Sequence, residues 1–547
     1  MLQSKTPSPK KGTAKEETSE AGSAIESACI LATSPMEKKQ SSVVTIFSLW
    51  NTMMGVSLLS MPWGLHQAGF VLGIAILLGM GFLCFYTAYL VVISADKHRA
   101  YLKGTKVTKR SDIDGKRDST PNTETAAKPQ SSERLSNPFG NRVYCEDPAI
   151  SLDTFKDRPD SPRRNTKIGP SDNLDFSDIC RHHFGRIGAI VAQFFSITVL
   201  IGVVIVYWVL MSNFVYFSGN LLYETLVLRD SKEVENQGDF CSAWCHLRRS
   251  SETVKTNRTV VEPLIFGHIF HEIWQLQLTV PILLAIVLFP LLNFKSPTFF
   301  TKFNVLGTMS VVYILAFNAA RFIFCGTRMN FTDVNSQNYV QSFSWNFPAL
   351  VGVVTMSYFI HNCVLTLFRL QRRPENNVRD LAIGYALVIS SYIFVATTFY
   401  AVFPLDRNCI EDNLLNNFRA DYVLSAVARV VIFFQLVTIL PLIMYFIRSQ
   451  LFCAIFNDPW PGLSKVLLLN SVVLGAGVLA AIFYPNVGGI IRFFGSFSGM
   501  MYMFTLPNLV QMRNLYLKNR LSPCKFVLHT LIIVFGVVNL ISQFIVN

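Results

Sequence analysis

Residues 42–70 read SVVTIFSLWNTMMGVSLLSMPWGLHQAGF. The stretch is long enough to cross a bilayer, which takes about 20 apolar residues in a helix. Its middle carries small and polar residues, among them Asn51 and Gly55, and Pro62 follows. An apolar span interrupted in this way predicts a broken helix whose freed backbone groups must be satisfied by something bound at the membrane midplane. The stretch therefore favours a secondary transporter.

The composition is typical of a membrane protein. Of the 547 residues, 51% are hydrophobic and only 15% are charged, and the mean hydropathy is +0.37, which excludes an ordinary soluble globule. We predict an all-α polytopic membrane protein whose eleven transmembrane helices lie at about 42–68, 70–94, 187–215, 274–293, 304–325, 347–369, 381–404, 423–447, 464–484, 487–510 and 526–546.

The polar segments divide the chain further. Residues 1–41 predict a disordered cytosolic tail, and residues 42–95 contain the first two spans. Residues 96–180 are rich in Ser, Pro and charged residues and predict a disordered cytosolic loop. Residues 181–547 complete the membrane domain with nine further spans, and residues 223–272 within them predict a lumenal loop.

The formal net charge of +13 reports how the chain is oriented in the membrane, because the basic residues lie in loops on one side of the predicted membrane domain. We therefore do not expect the charge to indicate a nucleic-acid partner. With the N-terminus in the cytosol and the C-terminus in the lumen, the cytosolic loops hold Lys295, Lys302, Arg372, Arg373, Arg379, Arg513, Lys518, Arg520 and Lys525. The glycosylation sequons at Asn257 and Asn330 then both fall on the lumenal side.

Cysteines in the predicted lumenal loops indicate a disulfide. Cys409 is expected to pair with Cys241 or Cys245, and a local bond between Cys241 and Cys245 is the alternative. In the tail, Glu26 precedes the aliphatic pair Ile30 and Leu31 in the manner of an acidic dileucine sorting signal, a short pattern that also occurs by chance. The signal favours lysosomal or late endosomal membranes over the plasma membrane.

The eleven predicted spans contain no Asp or Glu. Proton-coupled transporters usually have a buried carboxylate or a histidine relay, whereas sodium can be held by neutral carbonyls and hydroxyls where helices unwind. The spans therefore favour sodium as the coupling ion, with no other cofactor, although His361 keeps a proton route open. We expect the polar pair His361 and Asn362 to face the interior of the bundle.

Several motifs together resemble a known family. They are WNTMMG (50–55), SMPWGLHQAGF (60–70), YWVLMSNF (207–214), LLNFKSP (291–297), FIHNC (359–363), ENNVRDL (375–381) and FYPNVGGIIR (483–492). The chain resembles the sodium-coupled neutral amino acid transporters of the amino acid/auxin permease group, especially their lysosomal, arginine-responsive branch. The resemblance implies a LeuT-type fold, in which spans one to five repeat inverted as spans six to ten and an eleventh helix is appended.

The same resemblance implies where the ligands bind. Asn51 and Thr438 match sodium-site residues of the family. Unwinding near residues 53–56 would expose amides to an amino acid α-carboxylate and carbonyls to its α-ammonium, so the predicted substrate-binding residues are Thr52, Met53, Met54, Gly55, Val56 and Ser57. A matching irregularity is expected in span six, at Gly352, Thr355 and Ser357.

Two functions follow from these residues. The first is secondary active transport of amino acids by alternating access. The second is an amino acid sensor whose cytosolic tail engages a complex of the target-of-rapamycin growth pathway. Val56 stands where the arginine-responsive branch has threonine, and the tail lacks that branch's signalling segment. The resemblance therefore supports transport more than it supports sensing. A channel or an enzyme is disfavoured, because there is no selectivity-filter repeat, metal-ligand set or nucleophile motif.

Overall fold

The computed structural model describes residues 39–114, 174–227, 240–245, 270, 272–295, 305–369, 371–456 and 458–546. Four of the predicted site residues, Glu26, Ile30, Leu31 and Asn257, lie outside these ranges, and so does Lys302 of the predicted cytosolic loops.

The described chain is helical, and its only β-pairings are two isolated bridges. The α-helices are α1 (Ser42–Met53), α2 (Met61–Ala68), α3 (Phe70–Asp114), α4 (Phe176–Val227), α5 (Thr279–Leu292), α6 (Val305–Cys325), α7 (Phe347–Ser357), α8 (Val364–Arg369), α9 (Asn377–Val402), α10 (Val423–Phe456), α11 (Leu463–Phe483), α12 (Val487–Gly499), α13 (Leu506–Leu517) and α14 (Pro523–Ser542). A 3₁₀ segment, Val56–Ser60, precedes α2, and a π-helical segment, Met500–Thr505, joins α12 to α13.

The helices are those of a multi-pass membrane protein. Within the described ranges, seven are long and apolar enough to cross a bilayer, and the bent pair Ser42–Met53 and Val56–Ala68 brings the number to eight. Shorter apolar helices, α5 and α7, lie in two more of the predicted segments. Each of the eleven apolar segments contains a described helix, because a backbone in hydrocarbon must satisfy its own hydrogen bonds.

The helices α3 and α4 extend furthest beyond the spans that the sequence predicts. The helix α3 continues to Asp114, inside the range 96–180 that we expected to be disordered, and α4 begins at Phe176. The first turns of α4 are bent away from the rest at Gly185, whose φ of 70° suits glycine. Phe176 and Ile179 in these turns are fully buried, so packing on the bundle orders a segment that has polar neighbours in sequence.

Glycines let α7 and α12 approach closely. A Cβ added to Gly495 of α12 would lie 2.7 Å from the carbonyl oxygen of Gly352 in α7. A Cβ added to Gly352 would lie 2.9 Å from the Cβ of Arg492. Such distances are closer than van der Waals contact, so side chains at these positions would force the two helices apart. The helices α10, α11 and α12 also pack on α4, and α1, α3 and α6 pack on α9.

Two disulfides join the loops at one end of the bundle. Cys245 is bonded to Cys409, one of the two partners expected for Cys409. Cys241 is bonded to Cys325, so the alternative bond between Cys241 and Cys245 does not form. Sequence reasoning missed the second disulfide because Cys325 is the last residue of a predicted span and was counted as a membrane residue.

Buried arginines hold the same loops in place through hydrogen bonds. Arg321 donates hydrogen bonds to the carbonyl oxygens of residues 240–242. Arg429 donates to the carbonyl oxygens of Leu415 and Phe418, at 2.7 and 2.9 Å. Both side chains are at most 2% exposed. Charge-assisted bonds to loop carbonyls explain how cationic side chains are accommodated there.

Asp412 connects this loop region to the start of α12. Its Oδ2 accepts a hydrogen bond of 2.9 Å from the amide of Gly488. Burial raises the pKa of the Asp412 carboxyl, and bonds from the backbone amides of Gly488, Val487 and Asn413 offset the rise only in part. The native structure therefore binds this proton more tightly than the unfolded chain does.

Acidification is expected to stabilise the protein through Asp412. The contribution is fully present below the ordinary aspartate pKa and is lost as the pH rises through the raised native value. The melting temperature of Asp412→Asn should therefore depend less on pH, between about pH 7 and pH 4, than that of the unmodified protein. Asp333→Asn, at an exposed loop carboxyl, is the control. Identical pH profiles for Asp412→Asn and the unmodified protein would contradict this assignment.

Candidate functional site

The first break in the bundle lies where the sequence predicts it. The helix α1 ends at Met53, and the chain resumes after Gly55 as the 3₁₀ segment, bent by 53° from α1. The last carbonyls of α1 and the first amides of the 3₁₀ segment have no intrahelical partners at this point. Helix dipoles make the carbonyl end of α1 partly negative and the amide end of the 3₁₀ segment partly positive.

A second break follows α7. This helix ends at Ser357, residues 358–363 are not helical, and α8 begins at Val364. The irregularity was expected at Gly352, Thr355 and Ser357, and the break begins directly after Ser357, whereas the other two lie inside α7. Gly352 serves the close approach to α12, and Thr355 donates to the carbonyl of Val351 at 2.7 Å within its own helix. The break therefore follows the last of the three predicted residues.

Both breaks line one cavity of about 190 Å³. Its walls are Asn51, Thr52, Met53, Gly55, Val56, Ser57, Val199, Leu200, Val203, Val206, Tyr207, Met356, Ser357, Phe359, Asn362, Cys363, Gln435, Ile439, Ile443, Phe446 and Ile491. None of these described lining residues carries a charge. The cavity is mostly apolar with a few neutral polar groups, a composition typical of small-molecule sites.

Five of the six predicted substrate-binding residues line this cavity, namely Thr52, Met53, Gly55, Val56 and Ser57. The sixth, Met54, lies instead on a separate cavity of about 20 Å³ between the first break, α6 and α10. Met54 occupies the turn between the helices, where its side chain is only 1% exposed. Gly55 and Val56 line both cavities, so consecutive residues of the break border two cavities, which spacing in the sequence does not show.

Asn51 has an amide without partners. The side chain is 5% exposed and lines the cavity, and neither Oδ1 nor Nδ2 has a hydrogen-bond partner among the described residues. An unsatisfied buried polar group costs about 1–3 kcal/mol. An amide kept at such a cost beside a cavity indicates a ligand that completes its bonds.

Thr438 is placed differently from Asn51. Its hydroxyl donates 2.8 Å to the carbonyl of Gln435 in the same helix, and Thr438 is not one of the residues that line the cavity. The oxygen of a hydroxyl that donates its proton keeps lone pairs for a further partner. Gln435, one turn away, reaches both cavities and accepts a hydrogen bond from the Ser310 hydroxyl of α6.

Sequence reasoning missed Gln435 and Tyr207 as cavity residues. A glutamine inside an apolar span is itself a signal of a buried functional position, so Gln435 could have been found. Tyr207 begins the motif at 207–214, and its hydroxyl lies 3.7 Å from where a Cβ on Gly55 would be. Aromatic residues are too common in membrane helices for that contact to be expected.

The pair His361 and Asn362 faces the interior, as expected. Asn362 lines the cavity, whereas His361 lies behind it and is fully buried. The Nε2 of His361 is 2.9 Å from the hydroxyl of Thr87 in α3, and its Nδ1 has no partner among the described residues. The histidine therefore joins the second break to α3.

Asn330 lies in the described loop between α6 and α7. Its Oδ1 accepts hydrogen bonds from the amides of Thr332 and Asp333, at 2.9 and 3.2 Å. The side chain is half-buried, and Phe331 and Thr332 beside it are exposed. The residue that the sequence predicts to be glycosylated is thus in a surface turn.

Comparison with known proteins identifies the family of the chain. Residues 38–109 and 261–546 match the family described as transmembrane amino acid transporter protein. The chain belongs to this family. It is 44% identical to a sodium-coupled neutral amino acid transporter 9 homolog of Caenorhabditis elegans, over 93% of this chain and 74% of that protein.

Vertebrate relatives agree with this assignment. The chain is 37% identical to neutral amino acid transporter 9 of Xenopus tropicalis, over 92% of this chain and 80% of the relative. It is 35% identical to the protein of the same name from Rattus norvegicus, over 93% and 79%. The resemblance seen in the motifs is confirmed. The chain is an amino acid transporter family member embedded in a membrane, with amino acids as its substrate class, and it is not an enzyme.

Proposed function

We propose that this protein is a secondary active transporter that carries amino acids across lysosomal or late endosomal membranes by alternating access, coupled to sodium. The observation that supports it most is the uncharged cavity between two helix breaks. Broken helices that meet at one cavity are a typical transporter arrangement. Eleven crossings with an inverted repeat, a cytosolic N-terminus and a lumenal C-terminus belong to the same proposal.

The cavity suits a zwitterion without charged side chains. The start of the 3₁₀ segment at Val56 offers unpaired amides and the positive end of a dipole to an α-carboxylate. Carbonyls near the end of α1 and in the second break offer acceptors to an α-ammonium group. Apolar residues from α4 and α10 form the remaining wall and would contact a substrate side chain.

Sodium coupling is supported by Asn51. Its unpartnered Oδ1 is a neutral oxygen of the kind that holds sodium, and it lies beside the first break. Thr438 would supply a hydroxyl oxygen, since its proton is already donated to Gln435. Because these ligands are neutral, the ion's own charge would be the main local charge and would attract a substrate carboxylate.

Amino acid sensing is a second candidate function, supported by a contact between the chain just before α1 and the chain just after α8. The amide of Arg372 donates 2.9 Å to the carbonyl of Gln40, and Gln40 forms a bridge with Gln371. This bridge ties the chain just before α1 to the chain just after α8, so movement at either break would displace the base of the tail. A growth-signalling complex recovered by the full-length protein only in the presence of amino acid, and lost when residues 1–41 are removed, would support sensing, and no recovery would oppose it.

Filling the cavity at Gly55 is expected to stop transport. The φ of Gly55 is −50°, which an L-residue can adopt, and a Cβ there points towards Tyr207 across the cavity. Gly55→Leu should therefore fold, yet reduce amino acid uptake into proteoliposomes by about tenfold or more, since overpacking a site costs about 1–3 kcal/mol.

The matched control for this experiment is Gly79→Leu. Gly79 lies in α3, and nothing within 4 Å would meet a Cβ there. Its uptake should equal that of the unmodified protein. Uptake by Gly55→Leu at the unmodified rate would remove the cavity from the proposed route.

A further inference from the structure

The hydroxyl of Tyr392 lies where the two breaks meet. Tyr392 belongs to α9 and is fully buried. Its hydroxyl contacts the carbonyl oxygen of Met53, where α1 ends, and lies 3.2 Å from the carbonyl oxygen of Ser357, where α7 ends. The hydroxyl of Ser57, in the 3₁₀ segment, is also 3.2 Å away. One phenol therefore joins both half-helix ends and the segment that resumes after the first break.

The protons at this junction are fewer than the acceptors. Carbonyl oxygens only accept, so the single Tyr392 proton is shared between Met53 and Ser357. The Ser57 hydroxyl can donate its proton to the phenol oxygen and so leave the phenol proton for the carbonyls. Every bond at the junction thus depends on the Tyr392 oxygen.

The two carbonyls also repel each other. Each is the last of its helix, so the negative ends of two helix dipoles point at one place. Converging negative ends require a donor or a cation between them, and here the phenol supplies the donor. Without it, each carbonyl would be buried and unpaired, or the two helix ends would separate.

Other tyrosines hold the Tyr392 ring in place. The ring of Tyr358 meets it edge to face at a centroid distance of 5.4 Å. Tyr358 is fixed in turn, because its hydroxyl donates 3.0 Å to the carbonyl of Leu77 and its own carbonyl accepts 3.0 Å from the hydroxyl of Tyr385. The position of the phenol is thus determined by packing and not by the substrate.

We propose that Tyr392 is a positioning residue for transport, which holds the ends of α1 and α7 at the separation that a bound amino acid requires. The proposal rests on the function proposed above. Tyr392 is not one of the residues that line the cavity, and it acts through the two backbone carbonyls and through Ser57, which does line it.

The test compares Tyr392→Phe with Tyr313→Phe in proteoliposomes. Both variants keep the ring and lose one hydroxyl, but the Tyr313 hydroxyl of α6 donates 2.8 Å to the carbonyl of Leu424 in α10, outside both breaks. Tyr392→Phe is expected to raise the KM for amino acid about tenfold, as for an unsatisfied buried acceptor. The maximal rate should change less than the KM, and Tyr313→Phe should leave the KM within about threefold.

A second readout separates this proposal from the proposed function. The rise in melting temperature on adding amino acid measures binding without transport. Unmodified protein that shows this rise but no uptake would refute transport and leave Tyr392 testable through binding alone. A KM and a thermal shift in Tyr392→Phe equal to those of the unmodified protein would overturn the positioning role. If Tyr392→Phe does not fold, 3-fluorotyrosine at position 392 replaces it, with a changed KM expected and an unchanged KM overturning the proposal.

Discussion

Asn51→Ala is expected to abolish the sodium stimulation of amino acid uptake while leaving the protein as stable as before, or more stable. The amide that the substitution removes is buried beside the cavity and has no partner among the described residues. A group in that condition costs about 1–3 kcal/mol of folding free energy, which the variant recovers. The loss should appear as a fall of about tenfold or more in sodium-stimulated uptake, with no fall in melting temperature.

The controls for Asn51→Ala are another asparagine and the second proposed sodium residue. Asn318 of α6 is also buried, but its amide donates to the carbonyl of Ile314 in its own helix and it is not a residue of the cavity wall. Asn318→Ala should keep sodium stimulation. Thr438→Ala should lose part of it. Sodium stimulation that persists in Asn51→Ala would remove the ion from this site.

Gly495→Val is expected to have the largest effect on stability. A Cβ at Gly495 would lie 2.7 Å from the Gly352 carbonyl oxygen and 2.7 Å from the Cβ of Met356. The first of these neighbours is backbone and cannot rotate away, so α7 and α12 would have to separate. We expect a loss of about 3 kcal/mol in folding free energy, measured as a lower melting temperature in detergent and less folded protein in the membrane.

Gly475→Val provides the comparison for Gly495→Val. Gly475 is also helical, in α11, and nothing lies within 4 Å of a Cβ placed there. Replacing this glycine removes its entropic cost in a helix, so stability should stay the same or rise slightly. Equal melting temperatures for the two variants would show that the α7–α12 contact is not tight.

Gly495→Val and Asn51→Ala separate two uses of small or neutral residues in this bundle. Gly495 is needed because backbone must approach backbone, and the effect of changing it is structural. Asn51 does nothing that is visible for the fold, and the effect of changing it should be confined to transport. A lower melting temperature for Gly495→Val, and an unchanged or higher one for Asn51→Ala, follow from this difference.

Sequence patterns predicted the helical segments and the first break well, for a physical reason. Hydrocarbon imposes long apolar runs, and the polar and small residues around Gly55 interrupt one of them visibly. The second break was harder to place. Of the three residues expected to mark it, Gly352 is a packing glycine, and the chain unwinds after Ser357, the last of them. A glycine in an apolar run does not show by itself which of these two uses it has.

By itself the sequence determined that the chain is a multi-pass helical protein, that α1 breaks near Gly55 and that the break is bordered by uncharged residues, because these properties depend on local composition and on the solvent. Only the tertiary structure decided which distant groups meet there. Tyr392 reaches Ser57 across 335 positions, and Gln435 reaches Ser310 across 125. Such pairings depend on how the helices pack, and helix periodicity does not encode them.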